Sequence, residues 1–216
     1  MRVRTTLISV GCLIAIVSAG GCTDSTGGVA TPGDGGPTSE QPPGSEDPSG
    51  SPDNPEPTVE IPARPKDLAL DGVKPCSLFT QAQLTQLKIT DPPAPKTSEG
   101  YFTAPGCDLE IATVDSFRSY EVLTVTQEGI GPWLSGKRNV EAKLSEVSGY
   151  PAATYWLRGA EGTKAQDCAT AVDVADGQQL MVTADNDVER TYTLDQLCQM
   201  AADAAGLAMQ TLQTLK

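Results

Sequence analysis

The chain has six cysteines, Cys12, Cys22, Cys76, Cys107, Cys168 and Cys198, and no histidine among its 216 residues. Serine–histidine and cysteine–histidine nucleophilic sites are therefore excluded. So are zinc sites built on imidazole. The thiols are left with acylation, disulfide formation or an all-sulfur metal site. The last needs close pairs such as C-x-x-C, which the sequence lacks. Carboxylates are abundant, with 28 Asp and Glu against 15 Lys and Arg, a net charge of −13. That surplus argues against nucleic acid as a partner, because phosphate binding needs basic patches. It argues equally against electrostatic docking on an anionic membrane surface. Among so many acids a chance carboxylate pair is inevitable, so glycoside hydrolysis gains no specific support. Ser77 and Ser135 have neither a base nor a nucleophile-elbow context. No enzyme activity, cofactor or metal is expected, and an envelope hydrolase is the least favoured alternative.

Cys22 is the acylation candidate. Residues 1–21 read as a secretory signal, with Arg2 and Arg4 as a positive n-region and Leu7 to Val17 as an apolar h-region. That h-region is shorter than the roughly 17–25 residues of a membrane-spanning helix. Ala19, Gly20 and Gly21 lead into Cys22. Small residues directly before a cysteine let the backbone enter a signal-peptidase cleft, and the thiol can then take up a diacylglycerol. The pattern resembles the bacterial lipobox, an apolar residue and two small residues before Cys. Cys12 is a rival, but cleavage there would leave an h-region of only about five or six apolar residues. Acylation also disposes of the odd thiol an exported chain would otherwise carry. More than one acyl chain gives stable anchoring. The expected location is the extracytoplasmic face of the cell membrane, lipid-anchored through these chains.

Residues 22–66 are the expected tether. Of the 44 residues after Cys22, 27 are Pro, Gly, Ser or Thr, and the eight acids outnumber the two bases. So few apolar residues cannot offset the entropy of ordering the backbone, so disorder is expected. Fully extended, the stretch would reach at most about 150 Å.

Residues 67–216 are then one folded domain of ordinary size. Four cysteines remain, and an exported chain with an even count reads as two disulfides. Three pairings are open; the favoured one is Cys76–Cys107 with Cys168–Cys198, each joining a helix to the nearest cysteine-bearing strand.

The elements that must position these groups follow from periodicity. Thr80 caps a short helix over 81–88, with Ala82, Leu84 and Leu87 as its buried set. Residues 91–98 read as a chain break. Strands are expected at 107–114, 119–127, 143–147, 152–157, 168–175 and 179–184. Asp176-Gly177 is the turn of the last hairpin. Gly129 to Gly136 is a loop around Trp133. Thr193 and Gln196 form a capping box for a long C-terminal helix. Its inner stripe runs Leu194, Leu197, Cys198, Ala201, Ala205, Ala208, Leu212 and Leu215. The expected fold class is α+β: a mostly antiparallel sheet of about six strands, a short N-terminal helix and a long C-terminal helix.

Several of these residues carry a family resemblance. Pro75-Cys76-Ser77-Leu78 precedes the first helix and Gly106-Cys107 opens a strand. Gly149-Tyr150-Pro151-Ala152 forms the central turn. Cys168 leads to Val172-Asp173-Val174 and Asp176-Gly177-Gln178, and Cys198 lies in the last helix. In this order and spacing the domain resembles the actinobacterial lipoproteins grouped as domain of unknown function 3558. The resemblance implies an envelope lipoprotein of high-GC Gram-positive bacteria and no defined activity.

Two further features bear on function. Trp133 is the candidate partner contact, since an exposed loop tryptophan can anchor a ligand or protein; the alternative is that it plugs one edge of the sheet. Trp156 is expected to pack. Asp185, Asp187 and Glu189 read as a solvated acidic turn, because Arg190 occupies the place where a calcium loop needs glycine. The leading expectation is a non-catalytic binding or interaction domain on a lipid anchor, its partner an unknown envelope protein. The alternative is a carrier of an apolar small molecule or lipid, held between the sheet and the C-terminal helix.

Overall fold

The computed structural model describes residues 57–112, 117–160, 165–186 and 191–216. Their architecture is one sheet of seven strands, crossed on one face by a long helix. The strands are β1 (Ala94–Glu99), β2 (Thr103–Ala112), β3 (Phe117–Val125), β4 (Val140–Val147), β5 (Tyr150–Leu157), β6 (Asp167–Ala175) and β7 (Gln178–Asp185). The helices are α1 (Gln81–Gln86) and α2 (Leu194–Leu215), with short 3-10 turns at Pro75–Leu78 and Gly131–Ser135. Every pairing is antiparallel, in the order β1-β2-β3-β7-β6-β5-β4.

The expected six strands are seven. The additional one is β1, in the stretch read as a chain break. Pro95 misled the reading, because proline lacks the N–H that a central strand needs. Here β1 is an edge strand paired only with β2, so the missing donor faces no neighbour. Pro105 and Pro151 are tolerated in the same way. Pro105 pairs with Thr97 beyond the end of the β2–β3 ladder, and Pro151 lies beyond the β5–β6 ladder.

Two hairpins turn on residues with left-handed backbone. Val147 and Tyr150 flank Ser148 (φ 53°) and Gly149 (φ 83°), the pattern of a type I′ turn, two residues shorter than the turn read from Ser148 to Pro151. Asp176-Gly177 joins β6 to β7 as expected, with Gly177 at φ 67°.

The sheet is apolar on both faces. On the inner face, Leu109, Ile111, Val122, Val172, Leu180 and Val182 pack under α2, with Trp156 at one side. From α2 come Leu197, Ala201, Ala204, Ala205, Ala208, Met209 and Leu212. Alanines let the helix axis approach the strands closely. Leu215, counted in the stripe from its spacing, is 56% exposed because the helix runs past the sheet. Ala82 of α1 is likewise exposed, since only Leu84 and the C-cap Leu87 face inward on so short a helix. Both capping boxes form: Thr80 with Gln83, and Thr193 with Gln196.

The outer face has a second, smaller core of Phe102, Leu123, Val125, Ile130, Trp133 and Met181 with their neighbours. It is covered by the 3-10 turn Gly131–Ser135. The boundary of the expected tether also moves. Residues 57–66 belong to the folded body: Thr58 donates its N–H and its hydroxyl to the Leu134 carbonyl (3.0 and 2.8 Å), and Ile61 packs on the outer core. Residues 1–56, with Cys12 and Cys22, lie outside the described residues.

Candidate functional site

The segment from Pro57 to Leu78 is a strap. It starts beside Leu134 on the outer face, passes the β6–β7 turn, and reaches the inner face at Cys76. Three contacts hold it. Arg64 donates to Asp67 (3.0 Å), to Asp173 (2.8 Å) and to Asp176. The backbone N–H groups of Leu68 and Leu70 reach the Val174 carbonyl and the Gln178 side chain, both at 2.6 Å. Cys76 is bonded to Cys107 on β2. The Arg64 guanidinium, though partly desolvated, is held more firmly protonated by these carboxylates. Asp173 is nevertheless pushed above the usual carboxylate range, because its burial outweighs the Arg64 charge.

Between the strap and the inner face of β1–β3, beyond the cover of α2, lies a groove of about 740 Å³. Its walls are Leu70, Val73 and Pro75 from the strap and Pro95 and Pro105 from the strands. Thr124 and Thr126 line it from β3 and its continuation, and Lys74 and Asp71 stand along the strap. Lys96 borders the groove, and its ammonium pairs with Asp108 (2.8 Å) and Glu121 (2.6 Å). A second groove of about 370 Å³ lies at the margin of α2 over β4 and β5. It is lined by polar groups of Lys143, Ser145, Thr154, Asp195 and Gln199, with Trp156 and Leu194. The space between the sheet and the middle of α2 is filled by side chains. The groove under the strap is thus more apolar than the one beside the helix.

Trp133 is buried, with 6% exposure. Its ring stacks on Tyr155 (4.0 Å between centroids, 12° between planes), and its Nε1 donates to Gln179 Oε1 at 2.8 Å. Gln179 in turn donates to the carbonyls of Glu128 and Gly129. The Arg138 guanidinium lies 4.1 Å from the Trp133 ring and 4.4 Å from that of Tyr101, and it bonds both Glu128 carboxylate oxygens at 2.7 Å. The indole is a core group of the outer face, packed over the interior strands β5 and β7 and not at an edge of the sheet. The aromatic ring that reaches solvent here is Tyr101, 68% exposed. Trp156 is buried on the inner face, with the Lys143 ammonium 4.9 Å from its ring.

The serines are tied into local turns: Ser77 Oγ donates to the Lys74 carbonyl, and Ser135 Oγ to that of Pro132. Asp185 pairs across the ladder with Asp167, and its carboxylate accepts from Ser119 at 3.3 Å. Burial first, and the Asp167 charge second, push the Asp185 carboxyl up to about 6. Asp187 and Glu189 lie outside the described residues. Among the described residues no three His, Cys, Asp or Glu side chains gather as a metal site, and no helix is long and apolar enough to cross a membrane.

The cysteine pairs fall as favoured from the sequence: Cys76–Cys107 and Cys168–Cys198, the second fastening α2 to β6. The strap groove and the Arg64 clamp were not foreseen. Arg64 falls in a stretch whose composition is that of a linker, and the groove depends on β1, whose residues 94–99 overlap the expected chain break at 91–98. The only local signal was the change after Pro57 to Val59, Ile61 and Arg64, where apolar residues and the first base of the stretch appear.

A single antiparallel sheet, one long helix across it and two disulfides define the class: a small, disulfide-braced α+β domain. The chain belongs to the family described as Protein of unknown function (DUF3558), which matches residues 17–211. That span includes Cys22 and all four paired cysteines. No curated protein and no solved structure matches the chain.

Proposed function

We propose that the chain is a cell-envelope lipoprotein, anchored by acyl chains on Cys22, that holds a small non-catalytic binding domain away from the membrane. The observation that carries this reading is the way the chain enters the domain. An N-terminal anchor transmits every pull through the residues by which the chain enters the domain. Here those residues form a strap fixed by the Arg64 clamp and closed by Cys76–Cys107, so a pull on the N-terminal side is borne covalently by β2. The signal-like segment, Ala19-Gly20-Gly21-Cys22 and the Pro/Gly/Ser/Thr-rich stretch supply the address, the anchor and the spacer. The disulfides fit an oxidising compartment outside the cytoplasm.

Metabolic labelling with an alkyne fatty acid tests the anchor. The wild-type chain should be labelled and fractionate with membranes, and Cys22→Ala should lose the label and be released. Equal labelling of both chains would refute it.

A second reading, a carrier of an apolar molecule or lipid, is favoured by the groove under the strap. It moves the bound molecule from the sheet–helix interface, which is packed, to the strap.

A further inference from the structure

The strap groove combines features that a simple packing defect lacks. Its volume of about 740 Å³ lies within the roughly 300–1,000 Å³ typical of small-molecule sites. Three of its walls are prolines, Pro75, Pro95 and Pro105, whose rings are rigid and apolar. The strap above is fastened at both ends, by the Leu70 N–H to Gln178 and by Cys76–Cys107, so the opening is pre-formed.

Six polar residues border this lining, of which Ser77 is already bonded to the Lys74 carbonyl. Thr124 is 2% exposed, yet its hydroxyl makes no hydrogen bond among the described residues. The hydroxyl is not sealed from solvent without a partner, so a ligand group that accepts from it in the groove takes the place of water there. Thr126 is exposed near it. Lys74 is exposed on the strap, and its ammonium forms no ion pair among the described residues. The other charges are already partnered: Lys96 by Asp108 and Glu121, and Asp71 by an N–H of Gln178 at 3.0 Å. A wholly apolar ligand would leave Thr124 unsatisfied and Lys74 without a counter-charge. A polar ligand would waste the proline walls.

We infer that the strap groove binds a fatty-acyl chain with an acidic head, the chain against the proline walls, its carboxyl oxygens accepting from Thr124 and facing Lys74. The inference rests on reading the domain as a binding module. Each methylene that leaves the groove weakens binding about fourfold, from the free energy of burying one CH₂ group.

The test uses the full chain with Cys22→Ala, so that its own acyl groups cannot compete. Palmitate carrying a photoactivatable diazirine in its chain should label peptides within 70–77 and 95–106. Thr126→Trp, an exposed position whose indole would occupy the groove, should abolish most of that label. Thr124→Val should weaken palmitate about three- to tenfold, the loss of one hydrogen bond. Lys74→Glu, another exposed position, should weaken palmitate while leaving its methyl ester unaffected. Label confined to other segments, or undiminished in Thr126→Trp, would overturn the site. Methyl palmitate bound as tightly as palmitate, or Lys74→Glu without effect, would overturn the acidic head. A chain labelled at Cys22 in cells but unlabelled in the groove leaves the anchor standing and removes only this inference.

Discussion

The Trp133 indole shows how burial decides what a residue can do. Its Nε1–H has one partner, the Gln179 side chain, at a site closed to water. Trp133→Phe keeps an aromatic ring against Tyr155 but leaves the Gln179 carbonyl unpaired. We expect a loss of about 1–3 kcal/mol, read by urea denaturation of the full chain. Asp185 gives the opposite sign. Its carboxyl stands near 6 in the fold against an ordinary value of 3.8. A folded value above the unfolded one means that the protonated form favours folding. The contribution is therefore present below about pH 4, is lost as pH rises through 6, and leaves a net cost at neutral pH. Asp185→Asn removes the charge and keeps an oxygen for Ser119. It should raise stability at pH 7 by about 1–2 kcal/mol, less than the full shift because solvent reaches the site. The gain should vanish near pH 4. A variant equally stabilised at both pH values would contradict this account of the pair with Asp167.

Among the elements, those with clean periodicity were legible and those built around proline were not. The β6–β7 hairpin reads from Asp176-Gly177 and from Cys168, Thr170 and Val172 alternating with alanines. α2 reads from its capping box and its alanine stripe, though Ala204 and Met209 join the buried face and Leu215 leaves it. β1 was missed because an edge strand with Pro95 and Lys96 carries the composition of a turn; only its pairing with β2 makes it a strand. The strap was missed for a related reason. Its order comes from Arg64 meeting Asp173 and Asp176, more than a hundred residues away, and no local pattern records such a contact. The two disulfides close loops of 31 and 30 residues, each worth roughly 3–4 kcal/mol in the chain-entropy picture. Their local effects should differ. Replacing Cys76 and Cys107 by Ala should raise hydrogen exchange in 68–78 and spare α2. Replacing Cys168 and Cys198 should do the reverse. Uniform loosening in both variants would contradict the separate roles given to the strap and the helix.

For the whole molecule, the strap would shorten the spacer of the proposed lipoprotein and strengthen its attachment. With 57–66 in the body, 34 residues separate Cys22 from the domain, a reach of at most about 120 Å if fully extended and roughly 30–35 Å as a flexible coil. In the proposed lipoprotein the excess of acid throughout the chain would keep the domain from adhering to an anionic surface while the anchor held it nearby. All of this depends on how Cys22 is processed. The most direct measurement is the mass of the N-terminal peptide of the mature chain extracted from its own membranes. The account predicts a peptide beginning at Cys22 with its sulfur carrying a diacylglyceryl group. A peptide that begins before Cys22, or that carries Cys22 as a free thiol, would contradict it.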